Sequence, residues 1–236
     1  MASEYLKWKA RDVKPEEKRE LAPKEKRKNW WYYHKWHVLI GLVLLGILCD
    51  IGWNALGLGE VIPDCQIAYV GANALPDDTV TALEASLSEL CGDLNGDGRA
   101  CVRLVQYATS GDGVAASEVL LMSDLLDCES YLFLLQNPAQ FQRSYHILCC
   151  LDGSLPAGDD YTTENVCLSW EQCPVLANIE LGNYSYSVLG KTAEGSSREL
   201  VSGLYLARRG FWTEKTVANL DGCAAFWKTL TEEAIS

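Results

Sequence analysis

Histidine is scarce in this sequence of 236 residues, which contains three, and only His146 lies beyond residue 37. Histidine is the usual general base near neutral pH, so its scarcity limits the mechanisms available to an enzyme with this sequence. The GxSxG, HExxH, P-loop and GxGxxG motifs are absent, which excludes the common signatures of serine hydrolases, zinc proteases and nucleotide-binding enzymes. We therefore predict no catalytic residue.

Low-complexity tracts and internal repeats are also absent. Apolar residues make up 48% of the sequence and charged residues 22%, which excludes wholesale disorder and fibrous repeats. The length is sufficient for one sizeable domain with additional elements.

Basic residues are few and unevenly distributed. The sequence has 20 Lys and Arg against 32 Asp and Glu, a net charge of −12. Residues 1–37 hold eleven basic and six acidic residues, a net charge of +5, whereas the other 199 residues hold nine and 26, a net charge of −17. Because an acidic body repels nucleic-acid phosphates, we expect no nucleic-acid partner.

A long apolar run separates the basic and acidic parts. Residues 38–49 carry no charge, and extension to residue 58 gives 21 residues, about 31 Å of helix at ~1.5 Å per residue. This length matches a hydrocarbon core of about 30 Å. Aromatic residues that favour lipid headgroups stand near both ends: Trp30, Trp31, Tyr32, Tyr33, Trp36 and Trp53. We predict a transmembrane helix over 38–58 that contacts the lipid bilayer.

The charge step across this helix predicts its orientation. Because Lys and Arg accumulate on the cytoplasmic side, we expect residues 1–37 to form a basic cytoplasmic arm and residues 59–236 an extracellular domain of a single-pass cell-membrane protein. The arm is longer than an ordinary signal-peptide n-region, so we interpret the run as an uncleaved signal anchor. Cleavage, lipidation at Cys49 and a buried core helix are the alternatives.

One face of the predicted span carries small and polar residues. Gly46, Asp50 and Asn54 follow one another at intervals of four, which places them on the same side of a helix. Such a face suits packing against a second helix, so we predict that it contacts a membrane protein partner. The alternative is that Asp50 is tolerated near the interface.

Beyond residue 59, apolar runs of strand type alternate with helical patterns. The first predicted elements are, in order, strand 66–71, helix 74–90, strand 101–109, helix 115–127, strand 131–135 and helix 138–146. After a turn-rich segment come strands at 184–190 and 203–208 and a helix at 219–234. This alternation favours right-handed βαβ units, so we predict an α/β fold with a three-layer, mostly parallel sheet and helices on both faces.

Residues 66–135 contain, in order, IAYVG, a helical segment, VRLVQYAT and SEVLLMSDLLDCESYLFLL. This succession resembles the opening lobe of extracellular solute-binding proteins of ABC transporters. The chain is too short for the two lobes of that family, and it has a span in place of a lipidated cysteine. The run WWYYHKWHVLIGLVLLG followed by such a domain resembles uncharacterised single-pass membrane proteins of Gram-positive bacteria. That second resemblance implies a location but no activity.

The motif DLNGDG is the sharpest candidate for a metal site. Asp93, Asn95 and Asp97 copy the oxygen ligands at the first, third and fifth positions of a calcium loop, with a glycine at the sixth. The motif also resembles the half-loop of dockerin modules. The pattern then fails, because the ninth and twelfth positions are Cys101 and Leu104. Calcium is the one cofactor that the sequence suggests, and a turn rich in Asx and Gly is the alternative.

Two arginines precede two aromatic residues at the end of the predicted strand 203–208. Ligands of a parallel sheet bind beyond the carboxyl ends of its strands, and Arg suits carboxylates. We therefore predict Arg208, Arg209 and Trp212 as ligand-binding residues. An ordinary strand end with packed aromatic rings is the alternative.

Nine cysteines lie outside the span, an odd number that excludes complete internal pairing. An exterior location favours disulfides, and two pairs each bracket a short segment: Cys91 with Cys101, and Cys167 with Cys173. Several cysteines stand at apolar positions, so free buried thiols are the alternative.

Together these patterns predict a membrane-anchored extracytoplasmic domain that binds a ligand or a partner protein without catalysis. One alternative is a structural accessory subunit of a membrane complex, held through the face of Gly46, Asp50 and Asn54. A membrane-anchored hydrolase is less favoured, because it needs a nucleophile with a base and the outer domain offers only His146 or unassigned acids.

Overall fold

The computed structural model of this protein describes residues 22–55, 61–157, 162–188 and 191–235. The chain divides into two units, residues 1–60 and 61–236. The described part of the first unit is a single helix, and the second unit has an α/β fold.

Helix α1, Pro23–Ala55, has 33 residues and is about 50 Å long at ~1.5 Å per residue. An 18-residue window within it has a mean hydropathy of 1.7, and none of that window is buried. Helix α1 is therefore long and apolar enough to cross a bilayer. It is compatible with a single-pass membrane anchor or a signal peptide, whereas a buried core helix does not fit.

Helix α1 begins earlier than the predicted span. Its first turns take up the second half of the basic segment, which contains neither Gly nor Pro between Pro23 and residue 41 and therefore no residue that would break a helix. Residues 1–21 of the predicted arm and residues 56–58 of the predicted span lie outside the described residues.

Seven strands are present in the described part of the second unit: β1 (Cys65–Gly71), β2 (Val102–Ala108), β3 (Leu132–Leu135), β4 (Cys167–Ser169), β5 (Asn183–Val188), β6 (Lys191–Ser196) and β7 (Tyr205–Arg208). Five of them form a sheet in the order β2-β1-β3-β7-β4. Strand β1 pairs in parallel with β2 and β3, whereas β7 is antiparallel to β3 and β4. The α/β class is confirmed, and the sheet is mixed, because β7 runs opposite to the other four strands.

The long helices of this unit lie within a few residues of their predicted positions: α2 (Asp77–Cys91), α3 (Val114–Asp127), α4 (Pro138–Tyr145) and α8 (Leu220–Ile235). Asn137 caps α4, since its Oδ1 accepts a hydrogen bond from the N–H of Gln140 at 3.1 Å. The short helices were not predicted, because four or five residues show no apolar periodicity: α5 (Thr163–Val166), α6 (Pro174–Ala177) and α7 (Ser197–Val201).

The antiparallel direction of β7 follows from a change in the connections after β3. Parallel neighbours need a crossover of about a dozen residues or more, which α2 and α3 supply between the first three strands. Strand β7 instead follows β4 through the short α6, the strands β5 and β6 and the five-residue α7, so among the described residues no long crossover helix links it to its neighbours. After a turn in which the N–H of Leu204 donates to the oxygen of Val201 at 2.9 Å, the chain enters the sheet between β3 and β4 in the opposite direction.

Strands β5 and β6 form a separate antiparallel hairpin. The predicted strand 184–190 overlaps β5. Strand β6 lies between the predicted strands 184–190 and 203–208, where no element was predicted. Most described side chains of the hairpin are exposed or half-buried. A solvated hairpin does not require apolar alternation, so the sequence pattern gave no sign of β6.

The buried apolar residues of the second unit form two clusters, which we call the first and the second cluster. In β1, Ile67 and Tyr69 belong to the first cluster, and Ala68 and Val70 to the second. This alternation is expected for a strand with side chains on opposite sides. The first cluster also contains buried residues of α2 and α8, and the second contains buried residues of α3 and α4.

A buried carboxylate connects α3 to the sheet. Asp124 accepts hydrogen bonds from the hydroxyl of Tyr107 at 2.7 Å, from Nε2 of Gln66 at 3.2 Å and from the N–H of Ser130 at 3.0 Å. A buried charge is tolerated only when such bonds satisfy its oxygens, so this network fixes α3 against β1 and β2. Burial, and then the bond to Asp124, raise the pKa of Tyr107.

Candidate ligand-binding site

A crevice of about 530 Å³ opens at the carboxyl ends of the three parallel strands. The residues that directly follow β1 and β3, Ala72 and Gln136, line it together with Thr109 after β2. Helices α3 and α4 supply further walls, which include the buried side chains of Leu121 and Phe141. The volume lies within the ~300–1,000 Å³ that small-molecule sites usually have.

The crevice lies where the connections of the sheet diverge. Strand β1 stands between β2 and β3, and it is followed by α2, which contributes to the first cluster. Strands β2 and β3 are followed by α3 and α4, which contribute to the second cluster. The loops that leave β1 and β3 therefore separate, and such a separation is where open α/β sheets usually bind ligands.

Hydrogen bonds between the loops fix the shape of the crevice. The N–H of Ala72 donates to Oε1 of Gln136 at 2.6 Å, and the N–H of Thr109 donates to the oxygen of Gly71 at 2.8 Å. A side chain at Gly71 would collide with the ring of Tyr69, which explains the glycine at the end of β1. The three strand ends are thus connected to one another.

The lining of the crevice combines apolar and neutral polar residues. Among the described residues, Glu118 is the only lining residue that is charged at neutral pH, and the lining contains no Lys, Arg or His. Burial, and then the nearby charge of Glu118, raise the pKa of Tyr145. The same carboxylate would repel an anionic ligand, so the crevice favours neutral or cationic molecules.

Ser117 is the lining residue with an unsatisfied polar atom. Its Oγ is buried and makes no hydrogen bond with the described residues. Buried hydroxyl groups normally have a hydrogen-bond partner, so a polar group of a ligand in the crevice would supply the partner that the Ser117 hydroxyl lacks. The neighbouring carboxylate belongs to Glu118, and adjacent residues of a helix do not face each other. This arrangement suits binding and does not form a pair of nucleophile and base.

Gln136 also lines a second concavity, of about 610 Å³. Its aromatic wall consists of Tyr69 and, from the hairpin, Tyr184 and Tyr186, whose ring centroids are 5.9 Å apart. The N–H of Ser185 donates to Oδ2 of Asp78 at 3.0 Å, which attaches the hairpin to the start of α2. Gln136 thus contributes to both concavities.

The predicted ligand residues Arg208 and Arg209 donate to main-chain oxygens. Arg208 donates to the oxygen of Leu151 at 2.8 Å and lies 5.1 Å from the centre of the Trp227 ring. Arg209 is buried and donates to the oxygens of Ser130 and Leu125. Leu125 lies in the last turn of α3, where a cation is favourable.

The mixed sheet explains why these arginines lie far from the crevice. Strand β7 runs against β3, so that Arg208 pairs with Leu132 at the beginning of β3. The carboxyl end of β7 therefore meets the amino edge of the sheet, by which we mean the edge where β1, β2 and β3 begin. Trp212 follows β7 and is half exposed. A ligand site at these three residues stays a prediction.

The predicted metal residues form turns near the same amino edge. Asp93 accepts hydrogen bonds from the N–H groups of Gly96 and Gly98 at 2.7 and 2.8 Å, and Asn95 and Asp97 accept similar bonds two residues on. Among the described residues, no group of three or more His, Cys, Asp or Glu is arranged to hold a metal ion. Calcium binding by Asp93, Asn95 and Asp97 stays a prediction.

Asp64 is the buried acid that the sequence patterns missed in this region. Its Oδ1 accepts from the N–H groups of Leu94 and Asn95, each at 2.7 Å, and its Oδ2 accepts from that of Cys101 at 2.8 Å. Asp64 therefore holds the DLNGDG loop against the start of β1. The Asx and Gly residues of the loop predicted a turn. Nothing in the sequence indicated that Asp64, 30 residues before Leu94, contacts this loop.

The remaining predicted residues lie on α1 or in the buried clusters. Gly46 and Asp50 are exposed on α1, and the side chain of Asn54 lies outside the described residues. Cys167 belongs to the second cluster and Cys173 to the first, so pairing of these two cysteines is wrong for this fold.

A scan against protein-family models, a search of curated proteins and a search of solved structures each found no match for this chain. The two resemblances given from the sequence stay predictions. We therefore infer the function of this chain from the geometry of the site.

Replacement of Arg209 by Leu should lower the free energy of unfolding by about 3 kcal/mol, because it removes two buried hydrogen bonds from a charged donor. Replacement of Trp212 by Ala, at a residue that is 47% exposed, should change it by no more than about 0.5 kcal/mol. Urea unfolding of the purified variants measures both values. An equal loss in the two variants would contradict a structural role that is specific to Arg209.

Proposed function

We propose that this protein is a membrane-anchored domain that binds a small polar ligand carrying positive charge, without a chemical step. The observation that carries the proposal is the crevice at the diverging ends of β1 and β3, with one carboxylate, walls of mixed polarity and an unsatisfied buried hydroxyl. Open α/β sheets place ligands at this position.

The lining supports an amine as the charged group of the ligand. Glu118 supplies the opposite charge, and the same crevice is lined by Tyr107, Phe141 and Tyr145, aromatic residues of the type that attracts cations. Gln136 and Ser117 offer polar atoms that would orient the rest of the molecule. The net charge of −17 beyond residue 37 acts in the same direction, because it attracts cations from solution.

We also propose three layers for the outer domain, with α2 and α8 on one face of the sheet and α3 and α4 on the other. The division of the buried residues into two clusters supports this arrangement. Successive residues of β1 contribute alternately to the clusters, as in a strand covered on both faces.

The anchor in this proposal is α1, uncleaved, with residues 1–37 in the cytoplasm and the α/β unit outside the cell. Its exposed apolar surface and the excess of Lys and Arg before residue 38 support this topology. The aromatic residues from Trp30 to Trp36 would then lie at the cytoplasmic headgroups.

A structural accessory subunit is the second candidate function. In α1, an added Cβ at Gly46 would have no atom within 4 Å, and Asp50 is exposed one turn later. A carboxylate in the outer part of a span is easier to accommodate when it faces a partner helix. Gly46, Asp50 and Asn54 would form that contact.

Amine binding can be tested by thermal unfolding of the full chain in detergent with putrescine, agmatine or choline as the probe. A probe present at about ten times its Kd should raise the Tm by about 4 °C. Succinate, as the anionic counterpart, should leave the Tm unchanged. The E118Q variant should reduce the shift, because it removes the charge in the crevice.

Glu129→Gln is the matched control for this experiment, since Glu129 is exposed and does not line the crevice. This variant should keep the full shift. Equal losses in E118Q and E129Q would show that the probes respond only to the overall negative charge. Stabilisation by succinate alone would refute a cation site.

The proposed topology can be tested with protease added to intact cells. The α/β unit should be digested while an N-terminal fragment containing α1 stays with the membrane, because only the outer unit is accessible. Replacement of Lys24, Lys26, Arg27 and Lys28 by Gln should decrease the digested fraction, since these charges favour the cytoplasmic side. Protection of the α/β unit in intact cells, with digestion after lysis, would mean the opposite topology.

The accessory-subunit candidate can be tested by replacing Asp50 and Asn54 with Leu. The double variant should still insert into the membrane but should lose chemical cross-links to membrane proteins, because its polar face is gone. Leu44→Ala with Leu48→Ala is the control on the opposite face and should keep the cross-links. Cross-links that are unchanged in the Asp50 and Asn54 variant would exclude this candidate.

A further inference from the structure

Two buried thiols meet at the amino edge of the sheet. Cys65 is the first residue of β1, Cys223 lies in the first turn of α8, and both belong to the first cluster. They are 2% and 3% exposed. The thiol of Cys223 lies 3.6 Å from the main-chain oxygen of Asp64, the residue before Cys65. The thiol of Cys65 donates to the main-chain oxygen of Gln66 at 3.9 Å, so both thiols lie beside the start of β1.

Other cysteines outside α1 form hydrogen bonds elsewhere in the fold. The thiol of Cys167 donates to the oxygen of Thr163 at 3.0 Å, and that of Cys128 to the oxygen of Lys215 at 3.7 Å. Cys91 lies near the pair but makes no hydrogen bond to either thiol among the described contacts. Cys223 is thus the cysteine whose thiol contacts the peptide group directly before Cys65.

We propose that Cys65 and Cys223 form a disulfide that connects the first strand of the α/β unit to its last helix. The proposal rests on the proposed extracellular location, where exchangeable disulfides act as oxidants. The sulfur of Cys223 lies beside the peptide group that joins Asp64 to Cys65, and a disulfide requires the two sulfur atoms to approach to ~2.05 Å.

The bond forms by thiol–disulfide exchange with a low-molecular-weight disulfide or a disulfide oxidoreductase. The Cys223 thiolate attacks one sulfur of the oxidant and displaces the first thiolate. Cys65, on losing its proton, then attacks Cys223 in this mixed disulfide and displaces the second thiolate. Two protein thiols are oxidised and one disulfide is reduced to two thiols, so electrons and atoms balance.

The opposite pKa shifts of the two thiols support this order of attack. Interaction with Cys65 lowers the pKa of Cys223, whereas interaction with Cys223, together with burial, raises the pKa of Cys65. Because both sulfur atoms are buried in the folded chain, we expect exchange to occur before α8 packs against β1.

The disulfide would close a loop that contains nearly the whole α/β unit, since the two cysteines are 158 positions apart. Constraint of so long a loop reduces the freedom of the unfolded chain and favours the folded one. We expect reduction of the bond to lower the Tm of the full chain by roughly 8 °C.

The pairing can be mapped on the full chain refolded in detergent with oxidised and reduced glutathione. After alkylation of free thiols, cleavage at Glu places Cys65 in peptide 61–84, Cys91 with Cys101 in peptide 90–118, and Cys223 in peptide 215–232. Mass spectrometry without reduction should find 61–84 linked to 215–232. A link from 61–84 to 90–118, or alkylation of both Cys65 and Cys223, would overturn the proposal.

Cys173→Ser is the matched control, because Cys173 is fully buried in the same cluster. This variant should keep the difference in Tm between oxidised and reduced chains, whereas the double variant C65S/C223S should lose it. If the double variant does not fold, the peptide map of the unchanged chain decides alone.

The location is tested separately, on chains taken from cells whose thiols were alkylated before lysis. Linked peptides from these chains support the disulfide in the cell. Pairing in the refolded chain with full alkylation in the cellular chain overturns the disulfide there and counts against the extracellular location. This result would leave the ligand crevice unaffected.

Discussion

Strand β1 is bonded to a parallel strand on each side, and this pairing determines where each group of functional residues can lie. Cys65 and Gly71 are opposite the first and last residues of β2, and the shorter β3 runs from the level of Ile67 to that of Val70, so the three strands end at nearly the same level. The loops that follow them meet at one edge and form the crevice. The segments that precede them meet at the amino edge, where the DLNGDG loop and the thiols of Cys65 and Cys223 lie.

Three buried charged side chains stabilise this arrangement through the main chain and through polar neighbours. Asp64 holds the DLNGDG loop, and Asp124 connects α3 to β1 and β2. Arg209 adds bonds to the last turn of α3 and to Ser130. A buried charge is destabilising unless it is satisfied, so each contact specifies one position for its segment. Helix α3 is thereby fixed from two sides, and it forms a wall of the crevice.

The sequence predicted the segment from β1 to α4 well because its elements are long enough to show a period. Leu83 and Leu87 mark one face of α2, and the apolar run of β3 is continuous. The three-residue β4 and the polar β6 carry no comparable pattern. Strand direction was a further gap, since Arg208 and Arg209 were placed with ligands on the assumption that β7 is parallel. Applied to the ends of β1, β2 and β3, the same rule leads to Ala72, Thr109 and Gln136, which carry no motif of their own.

The two ends of β1 separate the proposed disulfide from the proposed ligand site. Cys65 begins the strand and Gly71 ends it, so its seven residues span about 20 Å at ~3.3 Å per residue. Cys223 lies on α8 and its thiol contacts the oxygen of Asp64, and neither α8 nor Asp64 lines the crevice. Sites that share no contact at this distance usually contribute independently to stability. Oxidation should therefore stabilise the α/β unit without changing the walls that would recognise a ligand, and the two sites can be examined separately in the same chain.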